Sequence, residues 1–419
     1  MGADNNANIK RSKVNFLKII KSKYIISKLF DNLSKKKILK IIQKNKEIQT
    51  KLEISLKDYI TMSELNPIEI EIVPVANSKE NFINLTYVNK DYVHIYFDDK
   101  KEEINECRLN EKDDIKKINI KIDHQIKEFH NLFDGCKTIK SINFIKFNRY
   151  TIEDMSYMFQ WCTSLTEVNL SKFNTNNVSN MEGMFFFCNS LTKLDLSSLN
   201  TGNVTDMSKM FCGCSSLKTI NLSKINTCNV TNMNRMFGEC KSLKELNLSK
   251  FNTSNVTNMH EMFEGCTSLT KLNMSNFNTE KVTNMNSMFK DCSLMKTFYL
   301  SSFNTINVKD MGYMFYQCSS LKTLDLSNFK TDNLEELGFM FYQCQSLKKV
   351  NLSSFNTEKV RAMNGMFFAC ASLTDLDISN FNTKKVYNMG TMFFGCSKEL
   401  EAKVKSQNDG IPDEAFNLF

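Results

Sequence analysis

Apolar side chains recur along this chain with a period of 26 residues. A cysteine stands in each period, a phenylalanine lies three residues before it, and a methionine or leucine precedes that phenylalanine. Such a period is typical of a solenoid, in which each repeat buries its apolar face against its neighbours. The cysteines of this row are Cys136, Cys162, Cys188, Cys214, Cys240, Cys266, Cys292, Cys318, Cys344, Cys370 and Cys396.

The apolar positions before each cysteine follow a helical spacing. In one repeat, these positions are i, i+3, i+4 and i+7, which share one face of a two-turn helix. They are occupied by Met259, Met262, Phe263 and Cys266. The pattern therefore predicts a short helix in every repeat.

After each cysteine, the pattern changes to strict alternation. The stretch "LKELNLS" (243–249) alternates apolar and polar residues, as a strand with one buried face does. The three prolines, Pro67, Pro74 and Pro412, lie outside the repeats, as an uninterrupted ladder of parallel strands requires. The sequence predicts an α/β leucine-rich-repeat solenoid with one parallel β-sheet and short helices, preceded by a small helical N-terminal module.

The pattern divides the chain into four segments. Residues 1–62 form a basic helical module, and residues 63–117 a strand-containing connector or N-terminal cap, in which "IEIEIVPV" and "YVHIYF" resemble strands. Residues 118–400 form the solenoid of about ten units. Residues 401–419 form a C-terminal cap and tail, since "CSKELEAKVKSQNDG" abandons the repeat for a polar helix. A solenoid needs such caps because its terminal units expose apolar faces.

The charge is concentrated at the N-terminus. Residues 1–60 carry fifteen Lys and Arg against five Asp and Glu, whereas the whole chain has a net charge of +8. This balance fits an acidic partner, a membrane surface or nucleic acid for the first segment, but it favours lysine-rich helices with a solvated polar face. No apolar stretch has the length of a transmembrane helix, and lysines interrupt any signal-like run. With fourteen cysteines, this favours a cytoplasmic location over the cell surface.

The repeat unit MFxxCxSLxxLxLSxFNTxxVxxM resembles the BspA-like leucine-rich-repeat surface proteins of bacteria and some protists. The resemblance covers residues 118–400. It implies an adhesion or binding module, often secreted or tethered to a membrane. This chain departs from that pattern because it shows no signal or anchor.

The N-terminal segment carries a second resemblance. The spacing of Ile26, Leu29, Phe30 and Leu33, followed by "IL" at 38–39, is similar to an F-box. That resemblance implies that residues 20–55 dock onto a ubiquitin-ligase scaffold. The proline and tryptophan usual in that module are missing, so an N-terminal helical cap and an unrelated helical module remain alternatives.

The cysteine row predicts packing rather than chemistry. Structural zinc requires four converging ligands, whereas one cysteine per repeat supplies a row. The four histidines share no register, and Cys107, Cys212 and Cys228 lie outside the row. The asparagine of each "FNT" is expected to form a ladder of hydrogen bonds to neighbouring turns, interrupted once at Lys330. No enzyme signature is present, so we expect no catalytic residue, no metal and no cofactor.

The candidate binding residues are the outward positions of the strands, which are the fifth and seventh residues after each cysteine. In such a solenoid these positions line an extended surface. Tyr299 is an aromatic residue on an otherwise polar stripe and is the best candidate for a binding hot spot. The predicted partner-binding residues are Glu167, Asn169, Lys193, Asp195, Asn221, Glu245, Asn247, Lys271, Asn273, Tyr299, Asp325, Lys349, Asn351 and Asp377.

The sequence thus predicts a non-enzymatic interaction protein. The partner is a protein or a glycan, and the composition does not favour nucleic acid. Two alternatives are an intracellular F-box-type adaptor that selects targets for a ubiquitin ligase and a BspA-like cell-surface adhesin.

Overall fold

A computed structural model describes residues 41–42, 44–52, 67–110, 114–123, 126, 128–147 and 152–418. The F-box-like spacing from Ile26 to Leu39 lies outside these residues. Within them, the first helix is α1, Lys46–Leu52. No helix in the described ranges has both the length and the apolar character needed to cross a membrane.

The solenoid begins at a five-stranded sheet. Its strand order is β2-β3-β1-β4-β5, and the pairs are antiparallel except for β4 with β5, which are parallel. Buried residues alternate with less buried ones along its first strands, as the pattern of "IEIEIVPV" predicts. This sheet joins an antiparallel N-terminal part to the first repeats. Its strands are β1 (Ile68–Pro74), β2 (Val93–Phe97, after a 3-10 helix at Lys90–Tyr92), β3 (Ile118–Ile122), β4 (Ile139–Lys146) and β5 (Glu167–Asn169).

The later repeats contribute strands of three residues each. They pair in parallel, residue to residue at a separation of 26, as β6 with β7, β8 with β9 and β10 with β11. The predicted leucine-rich-repeat solenoid is confirmed, although its single sheet is divided because such short strands form few hydrogen bonds. The strands are β6 (Lys193–Asp195), β7 (Thr219–Asn221), β8 (Glu245–Asn247), β9 (Lys271–Asn273), β10 (Thr323–Asp325) and β11 (Lys349–Asn351).

The segment before each cysteine is a series of turns, so the short helix predicted for Met259–Cys266 is wrong. Met259 and Phe263 donate their backbone N–H groups to the next repeat, to Asn284 and Met288, at 3.2 and 3.0 Å. These bonds replace the i→i−4 bonds of a helix. In addition, φ is positive at Glu261, which ends any helical run. The apolar spacing fits both structures, because either one places the same side chains inward.

We call this segment, from the methionine four residues before the phenylalanine to the cysteine, the turn side of each repeat. A second ladder of parallel bridges runs along its start, from Glu128↔Asp154 to Ala362↔Asn388 in steps of 26. Behind it, the phenylalanine rings stack from repeat to repeat. The centroid of Phe263 lies 5.9 Å from that of Phe237 and 5.7 Å from that of Phe289.

The C-terminus covers the last repeat. Helix α2, Lys398–Gln407, is capped by Ser397, whose side chain accepts from the N–H of Leu400. The Gln407 side chain accepts from the N–H of Ile378 at 3.2 Å, and a 3-10 helix at Asp413–Ala415 follows. Backbone groups of the last turn side, which have no further repeat to pair with, therefore bond to this segment: Phe393 donates to Ala415 at 2.7 Å.

Candidate binding face

The cysteine row lies in the core, and its thiols make hydrogen bonds. Ten of them donate to the backbone carbonyl of the phenylalanine 29 residues earlier, at 3.0–3.3 Å. Burial raises the pKa of Cys266 to about 12, which keeps it a neutral thiol and a poor nucleophile. The burial was predictable from the spacing, whereas the S–H···O bond was not.

No group of three or more His, Cys, Asp or Glu side chains able to hold a metal ion is present among the described residues. The cysteines outside the row are also free thiols: Cys212 is buried, and Cys107 and Cys228 are half-buried. Burial raises the pKa of Cys212 to about 12. Cys212 is therefore a neutral thiol, like Cys266 in the row.

The ladder predicted for the "FNT" asparagine runs instead through the threonine beside it. The buried hydroxyl of Thr279 donates to the carbonyl of Asn304 in the next repeat and accepts from the N–H of the same residue, both at 2.8 Å. The Asn278 side chain instead accepts from the N–H of Glu280 in its own turn, at 3.0 Å. This is a correction: the asparagine shapes the turn, and the threonine connects the repeats.

Lys330, which was predicted to interrupt the asparagine ladder, leaves the threonine ladder intact. The hydroxyl of Thr305 donates to the Lys330 carbonyl at 2.9 Å and accepts from the Lys330 N–H at 2.8 Å. Only backbone groups are needed at this position, so its side chain is free to vary.

The predicted partner-binding residues all lie on one side of the solenoid, which we call the strand face: the outward residues of the strand row from Ser141 to Asp377. In β8, Glu245 and Asn247 are exposed and Leu246 between them is buried; β9 repeats this arrangement. Each predicted site residue is exposed except Asn351, which is half-buried.

The seventh residue after each cysteine has a structural role on this face. Its side-chain oxygen accepts from the backbone N–H two residues later, which forms an Asx turn where each strand ends. In the site set, this holds at Asn169, Asp195, Asn221, Asn247, Asn273, Asp325, Asn351 and Asp377, at 2.9–3.1 Å. The recurrence of Asn and Asp here is therefore explained by the fold.

These turns also affect the carboxylates electrostatically. The Ser197 backbone N–H, followed by the Ser197 side chain, lowers the pKa of Asp195. The pKa of Asp325 and that of Asp377 are lowered by the equivalent serines. All three side chains therefore stay negatively charged well below neutral pH.

The fifth residue after each cysteine is exposed and varies in chemistry. Where charges of opposite sign meet in neighbouring repeats, they pair: Lys271 lies 2.6 Å from Glu245, and Lys349 lies 2.8 Å from Asp375. These side chains stay more than half exposed, so the pairs contribute little to stability. This position differs from repeat to repeat without a structural requirement.

A groove of about 1080 Å³ lies on the strand face, and we call it the strand groove. Tyr299 stands in its wall with 78% of its side chain exposed. The groove brings together five predicted site residues. They are Glu245, Asn247, Lys271, Asn273 and Tyr299.

The strand groove lies where the strand row is interrupted. Residues 297–299 form no strand, whereas the equivalent residues on either side do, in β9 and β10. Phe298 takes the place of the usual leucine here, and its ring lies 4.7 Å from Phe289 and 5.2 Å from Phe315. We attribute the interruption to this larger ring. The substitution is visible in the sequence, but the groove that accompanies it is not.

Comparison with known proteins places this repeat in a family. The family model described as "Mycoplasma protein of unknown function, DUF285" matches residues 127–246, 213–323, 240–350 and 292–407. No curated protein matches the chain.

Three solved structures are similar in part. A leucine-rich repeat protein from Eubacterium ventriosum is 13% identical, with 61% of this chain and 90% of that one covered and a TM-score of 0.22. The functional domain of InlJ from Listeria monocytogenes, which includes a cysteine ladder, is 13% identical, with 64% of each chain covered and a TM-score of 0.23. The TLR13–ssRNA13 complex is 18% identical, with 61% of this chain but only 38% of that one covered and a TM-score of 0.23.

Proposed function

We propose that this chain, which belongs to the DUF285 family of Mycoplasma proteins of unknown function, is a non-enzymatic binding protein that presents its strand face to a protein partner. The observation that carries the proposal is the contrast within the strand face. The seventh residue after the cysteine is held by an Asx turn where it is Asn or Asp, with Tyr299 as the exception, whereas the fifth residue varies freely on the same backbone. Variable side chains on a fixed frame are what selective recognition requires.

The strand face is well suited to selective binding because hydrogen bonds between repeats fix its backbone before a partner binds. Ladders of bonds through Thr279 and Cys266 tie each repeat to its neighbours, so the strand face loses little conformational entropy on binding. The strand groove adds a concave region, and Tyr299 supplies the kind of exposed aromatic side chain that is enriched in binding hot spots.

Site-specific photo-crosslinking tests the proposal. The photoreactive residue p-benzoylphenylalanine replaces Tyr299 in the full-length protein, which is expressed in its native cell and irradiated. We expect a discrete protein adduct at this position. Tyr387 is a matched control because it is 74% exposed, close to the 78% of Tyr299, and lies away from the strand groove.

The pattern of adducts decides the outcome. Adducts from position 299 and none from position 387 support the strand face as the binding surface. Equal adducts from both positions, or adducts from position 387 alone, contradict it. An adduct at position 299 that a glycosidase removes indicates a glycan partner and contradicts a protein partner.

We further propose that the protein acts in the cytoplasm. All fourteen cysteines lie among the described residues as free thiols, and eleven of them are buried. Labelling of intact cells with a membrane-impermeant reagent tests this location. Labelling of this protein supports the BspA-like adhesin and contradicts both the cytoplasmic location and the F-box-type adaptor.

The adaptor alternative has its own test. The resemblance at residues 20–55 assigns scaffold docking to the N-terminal segment, so deletion of residues 1–62 is expected to abolish co-purification of a ubiquitin-ligase scaffold. Continued co-purification, or no scaffold with the intact chain, contradicts the adaptor and leaves binding by the strand face in place.

A further inference from the structure

We propose that the strand groove and the lysines beside it bind an extended acidic protein segment that carries a large apolar side chain. This inference rests on the proposed binding by the strand face and names the chemistry of the partner. It follows from the charge, the length and the floor of this part of the face.

A column of lysines runs along the strand face at the fourth residue after the cysteine, interrupted by Thr270; two of its members, Lys218 and Lys244, line the strand groove together with Thr270. All five members are exposed, and within the described part of the chain none forms an ion pair. This differs from Lys271 and Lys349, which have acidic partners in the neighbouring repeats. The members of the column are Lys218, Lys244, Lys296, Lys322 and Lys348.

This part of the strand face is strongly positive. Counting the fourth, fifth and seventh positions of each repeat from Lys218 to Asn351, there are seven lysines against two carboxylates, Glu245 and Asp325. One of those carboxylates is already paired with Lys271. Unpaired positive charge on one face favours a negatively charged partner and speeds its association.

The length of the column matches a short extended segment. Neighbouring strands lie about 4.8 Å apart, so the six positions from Lys218 to Lys348, which include Thr270, are separated by five steps and span about 24 Å. An extended chain rises about 3.3 Å per residue, so about seven residues reach across the column. Acidic side chains at alternate positions of such a segment all face the lysines.

The floor of the strand groove distinguishes a peptide from a simple polyanion. The half-buried Ile220 and the buried Leu272 and Met274 line it, and the exposed ring of Tyr299 supplies most of its accessible apolar surface. A large apolar side chain gains free energy by covering such a surface, whereas a phosphate or sulfate does not. The groove therefore favours a segment in which an apolar residue interrupts the acidic ones.

The charge also excludes one occupant from this chain itself. Residues 1–60 carry fifteen basic against five acidic side chains, so this segment is repelled by the lysine column. A second copy of the chain remains an outcome of the test below.

The experiment measures the fluorescence anisotropy of a labelled peptide with the full-length protein. The probe is a nine-residue peptide of eight glutamates around one central phenylalanine. We expect saturable binding that weakens as salt rises, because exposed charges are screened. Lys218→Glu/Lys244→Glu/Lys296→Glu should weaken it at least tenfold. Tyr299→Ala should weaken it about fivefold, and Tyr299→Phe should leave it unchanged.

The matched control changes net charge by the same amount away from the strand face. Lys330→Glu/Lys384→Glu/Lys385→Glu alters three exposed lysines in the "FNT"-type turns. This variant should weaken binding less than twofold. An equal loss in both triple variants shows attraction by net charge alone and overturns the proposal.

Competing ligands separate the other outcomes. If a nonaglutamate binds as tightly as the probe, the apolar floor does not contribute to binding, and the proposed apolar residue in the partner is wrong. Single-stranded DNA or heparin that binds more tightly, with the same dependence on Lys218, overturns the acidic protein segment. Concentration-dependent dimerisation that excludes the peptide and is lost in the Lys218→Glu/Lys244→Glu/Lys296→Glu variant assigns the strand groove to a second copy of the chain and overturns the proposal as well.

Failure here is distinguishable from failure of the proposed function. If no acidic peptide binds while the crosslinker at position 299 still gives an adduct, the strand face binds a partner of different chemistry. If both fail, the strand face is not the binding surface.

Discussion

The turn side and the strand face of this solenoid both repeat every 26 residues, but they differ in how many of their side chains are fixed by contacts between repeats. On the turn side, side chains of the motif bond and pack between repeats: Phe263 stacks on Phe237 and Phe289, and the Cys266 thiol donates to the Phe237 carbonyl. On the strand face, the Asn or Asp at the seventh position bonds to the backbone of its own turn, as at Asn247 and Asn273, and the outward residue at the fifth position differs from repeat to repeat.

The difference shows where a repeat protein can vary. A substitution on the turn side affects its own repeat and the two neighbouring interfaces, because each repeat contacts only its neighbours. A substitution at the fifth residue after a cysteine changes a side chain that is exposed to solvent and available to the partner. The following variants test this division, and the largest expected effect comes first.

Phe263→Ala should cause the largest loss of stability. It empties a fully buried site between two stacked rings, and such truncations cost about 3–5 kcal/mol. Urea unfolding followed by circular dichroism measures the loss. Lys271→Ala is the strand-face control: its ion pair is exposed, so it should cost no more than about 1 kcal/mol. Similar losses in the two variants would remove the distinction between the two sides.

Thr279→Val should cost about 1–3 kcal/mol, because it keeps the shape and leaves the Asn304 N–H and carbonyl without their partner. Thr283→Val is the matched control. Its hydroxyl is exposed and bonds to the Thr257 carbonyl at only 3.4 Å, so we expect a change within about 0.5 kcal/mol. A neutral Thr279→Val would mean that the threonine ladder does not couple the repeats.

Cys266→Ala should cost about 1–2 kcal/mol or less, since it removes one buried sulfur and a weak hydrogen bond. Binding of any partner to the strand face should be unchanged. Differential scanning fluorimetry measures stability, and metal analysis of the purified wild-type and variant proteins completes the test. Loss of a bound metal in the variant would contradict a packing role for the cysteine row.

Glu264 gives the smallest expected effect, which appears at acid pH. Burial acts to raise the pKa of Glu264, but Lys290 and then Arg235, each 2.8 Å away, lower it below its usual 4.5. Its stabilisation is therefore present above pH 4.5 and is lost as the pH falls through the lowered pKa. Thermal unfolding between pH 6 and 3 should show a shallower decline for Glu264→Gln than for the wild type.

The strand face provides the comparison for this experiment. Glu245 also pairs with a lysine, but its side chain is 63% exposed against 9% for Glu264. Glu245→Gln should therefore leave the acid decline unchanged. A decline as shallow as that of Glu264→Gln would show that the two sides do not differ in electrostatic coupling.

Much of the fold could be predicted because the period is long and regular. The row from Cys136 to Cys396 places one side chain of each repeat in the core without any knowledge of the backbone path. Strands such as β8 followed from the alternation in "LKELNLS". These patterns record burial, and burial is what hydrophobic periodicity reports.

The backbone of the turn side could not be predicted from the same pattern. The i, i+3, i+4, i+7 spacing of Met259 to Cys266 is satisfied by a helix and by the observed turns alike. The choice depends on whether the N–H of Phe263 bonds within its own repeat or to Met288 in the next one. That is a tertiary contact, and a single repeat does not reveal it.

The candidate site was predictable only in part. Outward positions such as Glu245 and Lys271 follow from alternation, and Tyr299 is conspicuous among polar residues. The structural use of Asn247 and Asn273 in Asx turns was missed, although Asn followed two residues later by Ser is a signal for it. The strand groove depends on how Phe298 packs, which sequence spacing does not report.

The cysteine row also has a practical consequence. Because each repeat hides one thiol at a known position, an alkylating reagent reacts there only when that part of the stack opens. Mass spectrometry of the modified peptides over time would give an opening rate for every repeat from Cys136 to Cys370. The native thiols, spaced one repeat apart, therefore report local unfolding along the solenoid. The order in which the repeats unfold can be determined from their alkylation rates, without engineered probes.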